Sequence, residues 1–185
     1  MRRRRGMLGL ATVVLAGSLV GCAPSSLPLS IPGGTSMCSD LGAARSGSVG
    51  IPVTNTGSTP ITLSDGYPNG VSEFDVLGSW IVPVQDGVDD PPIFVGEQEP
   101  DDEYAKWDQR VAPDGAVIEA GETRYLVVAA ALRDDSDFGW LQGFTVTSGD
   151  GTAVTDAAWG ITPGGNQCPW SPPGGNASPS PSVTP

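Results

Sequence analysis

The chain has 185 residues, a formal net charge of −12 at pH 7 and no histidine. Acidity of this degree argues against nucleic acid as a partner, since phosphate binding needs clustered Lys and Arg. The missing histidine removes the commonest general base and the commonest transition-metal ligand.

The chain opens on Arg2, Arg3, Arg4 and Arg5, followed by an apolar run from Leu8 to Val20 and the small residue Gly21. A positive start, a short apolar stretch and small residues form the order of an export signal. The run is too short to span a bilayer, which takes about 20 apolar residues. Residues 23–37 then turn to Pro, Ser and Gly (Pro24, Ser25, Ser26, Pro28, Pro32, Gly33, Gly34), a composition that reads as a flexible tether. With residues 1–21 removed, Arg45, Lys106, Arg110, Arg124 and Arg133 stand against all 21 acids. That balance argues against a domain lying flat on an anionic membrane and for a soluble, non-sticking exterior.

From residue 38 the pattern is β. Val49, Ile51 and Val53 alternate with small or polar residues, Asn55-Thr56-Gly57-Ser58 marks a turn, and Ile61 and Leu63 resume the alternation, which predicts a hairpin. Phe74, Val76, Gly78, Trp80, Val82 and Val84 share one face of a period-two stretch, with Glu73, Asp75 and Ser79 on the other, the pattern of a half-buried strand. Ala116-Val117-Ile118 is a short candidate strand. Tyr125 to Leu132 is nearly continuously apolar, which predicts a central strand buried on both faces, and Val127-Val128 favours strand over helix. Phe144 and Val146, the turn Ser148-Gly149-Asp150-Gly151 and the stretch Ala153 to Ile161 predict a closing hairpin. Residues 171–185, SPPGGNASPSPSVTP, cannot bury a core and are expected to be disordered. About seven short strands, with no amphipathic helix of ten residues or more, make a single all-β sandwich the natural solution.

The acidic insertion 86–108 interrupts this pattern between Val84 and Val111. Asp86, Asp89, Asp90, Asp101 and Asp102 offer hard oxygen ligands of the kind that hold Ca²⁺. No EF-hand spacing is present, and Pro91, Pro92 and Pro100 impose an irregular backbone. Three readings stay open: a calcium site, a protein-contact loop and a solvated loop. A second cluster, Asp134-Asp135-Ser136-Asp137, reads as an exposed turn, because Trp140 occupies the glycine position that a calcium loop requires. Trp80 and Trp159 are expected in the core, whereas Trp107 and Trp140 lie near loops and are the candidates for stacking on a sugar. Catalytic signatures are missing: there is no G-x-S-x-G elbow, no phosphate loop, and no Ser or Cys paired with a histidine. A carboxylate pair able to hydrolyse a glycosidic bond is expected by chance among 21 acids, so an enzyme is the least favoured reading.

Leu19-Val20-Gly21-Cys22 resembles the lipobox of bacterial lipoproteins. The resemblance implies that Cys22 receives a diacylglycerol and becomes the first residue of a protein held on the extracytoplasmic face of the cell membrane. Stable anchoring takes more than one acyl chain. Arg4-Arg5-Gly6-Met7-Leu8 loosely resembles a twin-arginine signal, so the export route stays open. Of the three cysteines, Cys38 and Cys168 then remain, and in an exported protein an even pair reads as a disulfide. It would close a loop of about 130 residues, worth about 4 to 5 kcal/mol in the chain-entropy account.

Val53-Thr54-Asn55-Thr56-Gly57-Ser58-Thr59-Pro60-Ile61-Thr62-Leu63 resembles a hairpin common in bacterial immunoglobulin-like extracellular modules. Glu119-Ala120-Gly121-Glu122-Thr123-Arg124-Tyr125-Leu126 is similar to a turn before a later strand of those modules. The composition also resembles that of exported actinobacterial lipoproteins. The organisation expected is therefore a signal (1–21), an acylated tether (22–37), an immunoglobulin-like sandwich (38–170) and a tail (171–185). The role expected is binding or scaffolding of an envelope protein. The alternative is a calcium- or glycan-binding module, and the oligomeric state is not legible.

Overall fold

The apolar run from Tyr125 to Leu132 sets the architecture, because a strand with no polar face needs cover on both sides. The computed structural model describes residues 27–34, 36–40, 44–84, 93–95, 104 and 106–164. In chain order the strands are β1 (Leu29–Ser30), β2 (Ser36–Asp40), β3 (Ser46–Asn55), β4 (Ile61–Ser72), β5 (Phe74–Pro83), β6 (Ile93–Val95), β7 (Val117–Ile118), β8 (Thr123–Leu132), β9 (Gly139–Ser148) and β10 (Gly151–Thr162). One sheet runs β1-β3-β8-β5, with β6 also beside β3, and the other runs β2-β10-β9-β4-β7. The central position predicted for the apolar run is met, since β8 lies between β3 and β5.

The strand order is that of an immunoglobulin-like sandwich. β1, β3, β8 and β5 occupy the places of strands A, B, E and D, and β4, β9 and β10 those of C, F and G. The opening segment divides between the sheets: β1 pairs antiparallel with β3, and β2 pairs parallel with β10. The seven short strands expected become six of 10 or 12 residues, one of five and three of two or three. The extra short strands cap sheet edges and carry too few residues to show a period in sequence. The one helical element among the described residues is a single 3₁₀ turn, Trp107–Gln109.

Between the sheets lies one core, built from Val49, Val53, Leu63, Phe74, Ile81, Leu126, Val128, Leu141, Phe144, Val146, Trp159 and Ile161 among others. Trp159 is fully enclosed against Phe74, with ring centroids 5.9 Å apart. Its indole N–H donates to Ser39 Oγ at 3.1 Å, which joins β10 to β2.

Two local expectations are corrected. The segment 56–60 does not close a hairpin, because β3 and β4 lie in different sheets. It is a corner between them, organised by Asn55, which is fully buried. Asn55 Nδ2 donates to the carbonyls of Thr59 and Ile118, its Oδ1 accepts from the Gly57 N–H at 2.9 Å, and its backbone bonds Gly121 and Glu122. The two motifs quoted above thus meet at one residue. An alternation broken by a turn looks the same whether the second strand folds back or crosses over.

The apolar residues of β5 likewise depart from the single face that their period predicts. A bulge between Val76 and Gly78 shifts its register against β8, so its apolar residues do not share one face. Phe74 and Ile81 enter the core between the sheets, while Trp80, Val82 and Val84 belong to a second cluster. Gly78 lies under the Trp80 ring, where a Cβ would come within 2.7 Å of the indole.

Candidate functional site

The long connection from β5 to β7 carries the acidic insertion. Its carboxylates Asp86, Asp89, Asp90, Asp101 and Asp102 lie outside the described residues, and so does any test of calcium at them. No group of three or more metal-ligating side chains occurs among the described residues.

The base of the insertion is described, and it is not a loose loop. β6 pairs antiparallel with the start of β3, Phe94 standing opposite Ser48. Tyr104 and Trp107 then pack on the outer face of the first sheet against Val82, Tyr125 and Val127, with Trp80 and Val84 at the margin. These strand residues are cross-strand neighbours, Val82 opposite Tyr125 and Trp80 opposite Val127. Trp107 meets Trp80 edge-on at 5.4 Å and carries the Arg110 guanidinium 4.7 Å above its ring. Tyr104 Oη donates to the Pro83 carbonyl at 2.8 Å, and Lys106 Nζ donates to that of Val84. An aromatic pair seated on apolar strand residues is worth about 0.5–1.5 kcal/mol beyond its buried area. Val111 closes the segment by exchanging both backbone bonds with Ile81.

The β8–β9 turn is the second polar assembly. Arg45 Nη2 donates to the carbonyls of Arg133, Asp134 and Ser136. Ser136 Oγ donates to Glu73, and Arg133 Nε bonds Asp75 Oδ1 at 3.2 Å. Asp134, Asp135 and Asp137 are exposed, as expected of a turn. With Arg124 paired to Glu122, each of the five basic residues among the described residues, Arg45, Lys106, Arg110, Arg124 and Arg133, is engaged by the fold itself.

Trp107 and Trp140 do not offer the exposed faces expected for sugar stacking, because both are buried, at 6% and 4% exposure. Trp107 is covered by the packing just described. Trp140 packs against Phe138, and Gly160 lies so close that a Cβ there would reach its ring at 2.3 Å. Sequence proximity to loops misplaced both residues, since a loop folded back on a sheet buries its aromatics. Cys38 stands half-buried in β2, opposite Gly160 of β10, while Cys22 and Cys168 lie outside the described residues. Among the described residues no helix is long and apolar enough to cross a membrane.

No protein-family model and no curated protein matches the chain. Among solved structures it is similar to a PapD-like domain of human CEP192, at 9% identity and TM-score 0.37, over 85% of this chain and 97% of that one. It is also similar to the secreted serine protease VesC from Vibrio cholerae, at 11% identity and TM-score 0.39, over 76% of this chain and 24% of that one. A family 123 glycoside hydrolase from Clostridium perfringens is similar at 9% identity and TM-score 0.32, over 69% of this chain and 22% of that one. The chain spans less than a quarter of both enzymes. Likenesses this distant carry no activity across, and the assignment to the immunoglobulin-like class rests on the strand order.

Proposed function

We propose that this protein is a non-catalytic binding or scaffolding module, held at the extracytoplasmic face of the cell membrane by acyl chains on Cys22. The observation that carries the binding role is the seating of the acidic insertion. Tyr104, Lys106, Trp107 and Arg110 fasten its base to the outer face of the first sheet. A long connection fastened to the sheet at these residues holds its acidic stretch beside the domain, where connecting segments carry contacts to partners. Anchoring in two dimensions raises effective concentration, so weak contacts to an envelope protein suffice. The lipobox resemblance at Leu19-Val20-Gly21-Cys22 supports the anchor.

A Cys38–Cys168 disulfide belongs to the same reading. Cys38 stands half-buried in β2, and in the sequence Cys168 follows the end of β10, the partner strand of β2, by six residues.

Cross-linking of the full-length protein on intact cells, read by mass spectrometry against a Cys22→Ala control, tests the proposal. One dominant envelope partner, lost in the control, is the expected result. A background no different from that of any abundant lipoprotein overturns the scaffolding role. Metabolic labelling with an alkyne fatty acid reads the anchor separately, and a label that survives Cys22→Ala overturns lipidation at that residue.

A further inference from the structure

The fold closes its sheet edges with short pieces of its own chain. β1 and β6 pair with the two ends of β3, and Pro52, which has no N–H to offer, stands between them. β2 covers the end of β10, and the Pro32 carbonyl and Gly34 N–H bond Thr155 and Asp156 further along it. β7 and Ala116 close the start of β4, and Val111 closes the end of β5. One corner is left. Among the described residues nothing pairs with β4 after Leu63 or with β5 before Ile81 on their outer sides.

The chain crosses between the sheets at this corner in a single residue, Glu73, whose φ is +57°. Val71, Val76 and Leu77 flank the crossing with 44%, 42% and 41% of their surfaces exposed. Open strand edges beside exposed apolar side chains are a template for another strand. The two edges are not equivalent. Pro68 blunts β4, whereas Phe74 to Gly78 of β5 contains no proline. The rim carries Glu73, Asp75, Asp134, Asp135 and Asp137; of the two cations there among the described residues, Arg133 is paired with Asp75 and Arg45 is turned onto the carbonyls of Arg133, Asp134 and Ser136.

We infer that the first half of β5 is a docking edge for an extended segment of a partner protein, one that alternates apolar with Lys or Arg residues. Val76 and Leu77 supply the apolar contact, and the acidic rim selects the cationic partner and repels a second copy of this acidic chain. The inference builds on the binding role proposed above. Cross-links that map to the insertion, with no occupation of β5, would sink the inference and leave that role standing.

The test uses full-length protein in nanodiscs of zwitterionic lipid. The probes are a peptide of alternating Lys and Val, seven residues long and blocked at both ends, and its Glu counterpart. The expected result is slower amide exchange at residues 74–77 with the Lys peptide alone. Affinity should fall about tenfold or more, about 1.4 kcal/mol, in Leu77→Asp and separately in Val76→Lys. Equal binding of the Glu peptide, protection elsewhere, indifference to both variants or no binding at all overturns the inference. So does concentration-dependent self-association, or binding to anionic vesicles, that disappears in Leu77→Asp. The first would make the occupant a second copy, and the other a membrane surface.

Discussion

The two outer faces of the sandwich are treated in opposite ways. On the first sheet Trp80, Val82, Tyr125 and Val127 are covered by Tyr104 and Trp107, which makes a second small core outside the sandwich. On the second sheet the outer positions are mostly small and polar, with a Ser64–Thr147 hydroxyl pair and a Thr145–Asn69 bond. Of its apolar exceptions, Tyr67, Val117 and Val154 are left exposed, and Trp140 is covered locally by Phe138 and the close approach of Gly160. The difference shows what the insertion does for the fold. β8 can be apolar on both faces because a segment from the β5–β7 connection returns to roof it.

The comparison predicts a graded set of effects. Removing Trp159 from the core between the sheets should lower the single cooperative unfolding transition by about 3–5 kcal/mol, read by chemical denaturation of Trp159→Ala. Trp107→Ala should cost about 3 kcal/mol and act locally, speeding amide exchange over residues 106–111 while β9 and β10 keep their protection. Equal loss of protection in β9 and β10 would show that the outer cluster and the main core are one unit. Tyr104→Phe removes only the bond to the Pro83 carbonyl and should cost about 1 kcal/mol, visible as a small shift in the denaturation midpoint. Val154→Thr, on the open face, should change stability by less than about 0.5 kcal/mol. A larger loss there would mean that the open face is covered after all.

Much of the sandwich is legible in the residues themselves. The β8 run, the β9–β10 hairpin around Gly149 and Asp150, and the short strand at Val117 and Ile118 all appear where their patterns place them. Each depends on period and turn chemistry, which are local. The candidate site is less legible. Trp107 and Trp140 look exposed from their neighbours in sequence, yet they are buried by contacts with Trp80 and Phe138 or by the close approach of Gly160. No local signal announces that Arg45 will hold a turn some 90 residues away.

By itself the sequence determined the class: an acidic, histidine-free chain with strand-length apolar periods and no amphipathic pattern of ten residues, for which a β-sandwich is the economical way to bury its side chains. Only the tertiary structure decided which strands are neighbours and which faces are covered. The Asn55 corner sends β4 to the other sheet, the bulge after Val76 divides the apolar residues of β5 between two clusters, and a returning segment turns an outer face into a core. The physical reason is the same in each case. A strand's period records that a face is buried, but the partner that buries it is set by loop closure and packing between residues far apart in the chain.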